Sequence, residues 1–251
     1  SHCPANFEAD CAAFVALCRH LAEFDAVERT VIALQVENEP GILASDRDYH
    51  PDAQAVFDAP VPPELMAALQ GAGRGPVYDL WQRAGGRVGS WPETLGPAAG
   101  ELMTAWSIAT YIDGIAAAGK AVYDIPMYAN VWLGEHGWAL PGETYPSGGA
   151  VIKTLDIWKW CAPHLDLVAP DIYVSDARGY ELECAAYRRP DNPLFIPESG
   201  YGANAWNMFR ALGQYDAIGY AFFGIESIVA PDGSLLPYAV DLVDSFRAAA
   251  A

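Results

Sequence analysis

Basic residues are scarce in this chain: 14 Lys and Arg stand against 32 Asp and Glu, a formal net charge of -18 over 251 residues. Such a surface repels phosphate backbones and anionic lipid, so neither a nucleic-acid nor a membrane partner is expected. Long apolar runs are missing as well, and no stretch reaches the roughly 18 to 20 apolar residues that a membrane-crossing helix needs. The five cysteines, Cys3, Cys11, Cys18, Cys161 and Cys184, are odd in number and contain no C-x-x-C pair, a poor disulfide framework, and read as mainly buried thiols. Cys11 and Cys18, on one face of a helical pattern, read as core packing rather than as ligands. The histidines (His2, His20, His50, His136 and His164) are scattered without ligand spacing. Metal-dependent hydrolysis is therefore not expected, and no cofactor is implied.

What the chain does have is apolar and aromatic mass. A hydrophobic fraction of 52% suffices for one large core, read here as a single catalytic domain over 1–251. Eight Trp and 13 Tyr offer flat faces that pack on the C–H faces of neutral sugars.

Apolar residues Phe7, Cys11, Phe14, Val15, Cys18 and Leu21 recur at helical spacing and predict an opening helix over 6–24. Near-continuous apolar runs at 30–36, 121–133, 165–174, 193–197 and 217–225 read as buried parallel strands. Helical patterns at 149–165, 180–189, 204–215 and 236–250 fall between and after them. Strand alternating with helix predicts an α/β fold built from right-handed β-α-β units. The stretch 41–120 is too long for one connection; two or three helices are expected in it, with a strong one at 98–118, and an insertion of this size shapes a binding site.

Two strings end apolar runs with carboxylates. Gln35-Val36-Glu37-Asn38-Glu39-Pro40 crowds polar groups onto one strand end, and Leu194-Phe195-Ile196-Pro197-Glu198 repeats the layout much later. One carboxylic acid to protonate a departing oxygen and one carboxylate to meet the anomeric carbon are what breaking a glycosidic bond requires. Glu39 and Glu198 are the candidates. Simple alternation puts Gln35, Glu37 and Glu39 on one face and Asn38 on the other, so Asn38 and Glu39 reach one substrate only if the strand end departs from regular pleating.

Residues 31–41 and 193–198 resemble the acid/base and nucleophile segments of the retaining β-glycosidases built on TIM (β/α)8 barrels, above all the β-galactosidases of glycoside hydrolase families 35 and 42. Asn38-Glu39 matches the Asn-Glu pair at the end of strand 4 in that clan, and Glu198 the Glu at the end of strand 7. Pro170-Asp171-Ile172-Tyr173 resembles the end of strand 6, Ala129-Asn130-Val131-Trp132 that of strand 5, and residues 219–226 that of strand 8. The resemblance implies a retaining β-galactosidase-like glycosidase in which Glu198 attacks, Glu39 serves as acid and base, Asn38 holds the 2-hydroxyl and Tyr173 orients Glu198. Asn130, Trp132 and Glu226 would line the sugar pocket. It also implies an incomplete barrel, strands 4 to 8 present and strands 1 to 3 missing, with a carbohydrate as partner and a homo-oligomer left open. The two Glu fix the reaction but not the sugar, so a glucoside, mannoside or arabinoside specificity stands beside the galactoside one. An inactive, truncated sugar-binding barrel is the third reading.

Overall fold

The structure, a computed structural model, describes residues 3–134 and 139–250, so His2 and His136 lie outside the described residues. The chain divides into two compact units, residues 1–166 and 167–251.

Unit 1 opens on helix α1 (Pro4–Phe24), followed by strand β1 (Leu34–Glu37). The strand is shorter than the apolar run 30–36 because Asp25, just past the helix, claims the start of that run. Its buried carboxylate accepts from Thr30 N and Oγ1 at 2.9 and 2.7 Å and from Val31 N at 2.7 Å. Those N–H groups, Val31 first and then Thr30, hold the Asp25 carboxyl below the usual range.

The insertion after β1 holds five helices rather than the two or three expected: α2 (Pro51–Asp58), α3 (Pro63–Ala72), α4 (Pro76–Arg83), α5 (Trp91–Leu95) and α6 (Ala99–Lys120). Prolines mark the starts of three of them. Pro51, Pro63 and Pro76 each occupy a first helical position, where the absent N–H would have had no partner and the fixed φ suits the helix. Helix α6 is the interior element of the unit, burying Leu102, Met103, Ala109, Ile112 and Ile115. Two glycines let α1 approach it: a Cβ at Gly114 would stand 2.6 Å from Phe7, and one at Gly119 2.5 Å from Phe14.

Strand β2 (Met127–Val131) then pairs with β1 in parallel, with Leu34 opposite Met127 and Gln35 opposite Tyr128. The register shifts between Gln35 and Glu37, so Glu37 faces Ala129. Beyond the strands, the segment after Glu39 is tied to the segment 140–149. Ile42 and Ser147 exchange backbone hydrogen bonds at 2.9 and 2.8 Å, and Ala44 N donates to Gly142 O at 2.7 Å. Helix α7 (Leu155–Cys161) closes the unit, its Trp158 fully buried and donating to Gly148 O at 3.0 Å.

Unit 2 carries strand β3 (Leu167–Pro170), helix α8 (Ala177–Tyr187), strand β4 (Phe195–Ile196), helix α9 (Asn204–Gln214), strand β5 (Gly219–Tyr220) and helix α10 (Val240–Ala249). Strands β4 and β5 pair in parallel, and Ile172 bridges to Ser199 beyond the ends of β3 and β4. Asn192 welds this region from inside: its Oδ1 accepts from Val168 N at 2.8 Å, and its Nδ2 donates to Val168 O and Tyr187 O at 3.0 and 2.9 Å. Met208, Phe222, Ile228 and Leu242 form an apolar cluster between α9, α10 and the end of β5. Each strand is thus shorter than its apolar run, because residues past the strand tips bond to loops instead of a ladder. Phe223 N, for example, donates to Ser199 O at 3.0 Å.

Candidate active site

In unit 1 the end of β1 does depart from regular pleating. After the register shift at Gln35 and Glu37, the chain turns through Glu39, whose φ of 43° lies in the left-handed region. A non-glycine residue there costs about 1–2 kcal/mol, so surrounding contacts must impose the turn. Asn130 supplies one of them. Fully buried at the end of β2, it accepts from Glu39 N at 2.9 Å through Oδ1 and donates to Asn38 Oδ1 at 3.0 Å through Nδ2. Gln35 Nε2 approaches the same Asn38 oxygen at 3.1 Å. Three polar residues, Gln35 on the strand, Asn38 in the turn and Asn130 on the neighbouring strand, are thereby joined around Glu39.

Trp132 follows β2 and is 48% exposed. Glu37 is exposed as well, and its carboxylate accepts from Asn38 N at 3.4 Å.

In unit 2, Glu198 directly follows β4 and Pro197 and is half-buried. Its backbone carbonyl accepts from Ile172 N at 3.0 Å, which ties it to the chain leaving β3. Tyr173, next on that chain, donates its hydroxyl to Glu198 Oε2 at 2.8 Å. A hydroxyl donated to a carboxylate oxygen fixes the direction in which that carboxylate points. Ser199, fully buried beside Glu198, hydrogen-bonds Ile172 O at 2.9 Å and Tyr220 Oη at 2.8 Å. Burial pushes the Tyr220 phenol above its ordinary range, so it stays a neutral link in this network.

The sequence reading passed over Asp171. It is 2% exposed, and one of its carboxylate oxygens lies within 4.8 Å of one of Glu198. Its signal was present: Pro170-Asp171 ends an apolar run just as Pro197-Glu198 does. Glu226 sits in a short 3-10 turn, Ile225–Ser227, and is exposed. Unit 2 therefore joins Asp171, Tyr173 and Glu198 in one cluster and leaves Glu226 outside the hydrogen bonds that bind it.

No family model matches the sequence, and no curated protein matches it. Among solved structures, the chain is similar to the catalytic domain of a β-amylase from Paenibacillus polymyxa. The TM-score is 0.59 at 11% identity, covering 99% of this chain and 70% of that one. The fold is α/β, and this neighbour is a (β/α)8-barrel glycoside hydrolase. At this identity the likeness speaks for the fold alone, and it does not single out families 35 and 42.

Proposed function

We propose that the chain is a retaining glycosidase acting on terminal β-galactosides, with Glu198 as nucleophile and Glu39 as acid/base. The observation that carries the reading is the Tyr173 hydroxyl donated to Glu198 Oε2 at 2.8 Å on a strand-end carboxylate. A nucleophile must be aimed at the anomeric carbon, and this contact holds one carboxylate oxygen in a fixed direction. The asparagine-braced turn at Glu39 and the glycoside-hydrolase fold of the solved neighbour support the same reading.

In the first step Glu198 would attack the anomeric carbon while Glu39 gives its proton to the departing oxygen, leaving a glycosyl-enzyme. In the second, Glu39 as base would take a proton from water, which displaces Glu198 and restores the configuration. The retaining chemistry requires the two carboxyl groups to stand about 5–5.5 Å apart. Asn38 would bind the 2-hydroxyl, and Trp132 would stack on the sugar's C–H face. The acid-rich, neutral-sugar character of the chain fits a substrate without phosphate.

The galactoside specificity rests on residues 31–41 and 193–198 alone. The likeness to a β-amylase domain gives a second reading, a glucan as substrate. The test is hydrolysis of aryl β-galactosides, β-glucosides, β-mannosides and α-arabinosides alongside soluble starch, with the first-formed anomer followed by proton NMR. The reading expects the β-galactoside to be cleaved to the β-anomer, Glu198→Gly to abolish turnover, and azide to rescue Glu39→Ala. Turnover that survives Glu198→Gly, or an α-anomer formed first, overturns it.

A further inference from the structure

We infer that Asn130 is a positioning residue that fixes the donor–acceptor sense of Asn38, so that the site reads a hydrogen-bond acceptor at the sugar's 2-position. The inference rests on the glycosidase reading above and adds to it which atom of Asn38 meets the substrate.

Amide oxygen and nitrogen are interchangeable by shape, and only the surrounding donors tell them apart. The Glu39 backbone N–H can only donate, so its partner at 2.9 Å is the Asn130 oxygen. That choice turns the Asn130 amide nitrogen toward Asn38 at 3.0 Å, where only an oxygen can receive it. Gln35 Nε2, at 3.1 Å, adds a second donor to that same oxygen. Both lone pairs of Asn38 Oδ1 are then in use, and a flipped Asn38 would set its own N–H groups against two donors. Among the described residues, Asn38 Nδ2 has no partner, and Asn38 is exposed while Asn130 is fully buried. Asn130 therefore acts through Asn38 rather than on the sugar.

The substrate atom facing Asn38 must accept. A 2-hydroxyl does so through its oxygen and keeps its own proton for another partner. A 2-ammonium group, which only donates, is refused, and a 2-deoxy sugar forfeits the contact.

The experiment compares Asn130→Asp with the unaltered chain on an aryl β-glycoside of the best-cleaved sugar and on its 2-deoxy analogue. The substituted carboxylate still accepts from Glu39 N but has no proton for Asn38, so the lock is released with little change of shape. We expect kcat/KM on the 2-hydroxy substrate to fall about tenfold or more, the worth of one well-placed hydrogen bond, and to change less than about threefold on the 2-deoxy one. Equal losses on both substrates overturn the inference, because a merely structural role would not sense the 2-position. Should the unaltered chain cleave no glycoside, the functional reading falls by itself, and side-chain amide NMR decides the lock separately. The Asn130 amide protons should exchange with solvent far more slowly than those of Asn38, and Asn38 resonances should broaden in Asn130→Asp. Equal exchange at the two amides overturns it.

Discussion

Removing the Tyr173 hydroxyl gives the sharpest test of how Glu198 is handled. Tyr173→Phe deletes one donor at 2.8 Å from Glu198 Oε2 and leaves the ring in place. A hydrogen bond to a charged group is worth about 1.5–3 kcal/mol. Tyr173 is 47% exposed and water competes for the carboxylate, which brings the figure to about 1–1.5 kcal/mol. On the mechanism proposed above, the two halves of the retaining reaction would feel the loss differently. In the first, Glu198 gives up its charge, so the hydroxyl's preference for the carboxylate gains nothing in the transition state. In the second, Glu198 leaves as a carboxylate and the hydroxyl stabilises the charge as it forms. With an activated aryl glycoside, kcat should fall about five- to tenfold while kcat/KM stays within about threefold. A pre-steady-state burst of the aryl alcohol should appear, read by stopped-flow absorbance. Equal falls in kcat and kcat/KM, or no change in either, would refute the reasoning.

Asn192→Ala strips partners from Val168 N, Val168 O and Tyr187 O; it should cost about 3–5 kcal/mol of stability, read as the urea midpoint by circular dichroism. Arg210→Ala, which breaks only the exposed pair with Glu181, should cost under about 1 kcal/mol in the same assay. Asp25 has its carboxyl held low in the folded chain, so it contributes stability above about pH 4 that is lost as the pH falls further; Asp25→Asn should lower stability at neutral pH and flatten the acid limb in a urea series from pH 2.5 to 7. Gly142→Ala places a methyl 2.0 Å from Ser45 O at a φ of 81°, and should cost at least about 2 kcal/mol by thermal unfolding. Among the thiols, exposed Cys3 should react first with a disulfide reagent, whereas Cys161 and Cys184, each pushed up to about 12 chiefly by burial, should react only on unfolding.

The elements whose signal is local were legible in the residues. The helix at 6–24 needed only its apolar period, and Pro4–Phe24 followed. All five apolar runs contain a strand, but its length escaped the sequence, because strand ends are set by partners far along the chain. Asp25 shortens β1 from outside the run, and the bonds from Ile172 and Phe223 to the segment after β4 continue the pairing without regular geometry. The prolines of 41–95 misled because a proline ends one helix and starts the next with equal ease. At the candidate site, the contact of Tyr173 with Glu198, 25 positions further on, was implied by the family resemblance of residues 170–173. The Asn130 lock was not, since its bonds span 91 and 92 residues and depend on a register shift that no pattern of residue types announces.

The backbone of Glu39 sets stability and chemistry against each other. Held at a φ of 43°, this position is one where glycine would rest at ease. Glu39→Gly should therefore leave a sturdier molecule than Glu39→Ala by about 1 kcal/mol, although both lose the same carboxyl group. A selection for heat resistance alone would drift toward glycine here and, on the proposed mechanism, remove the acid/base, so any library built on this scaffold needs an activity screen running beside the thermal one.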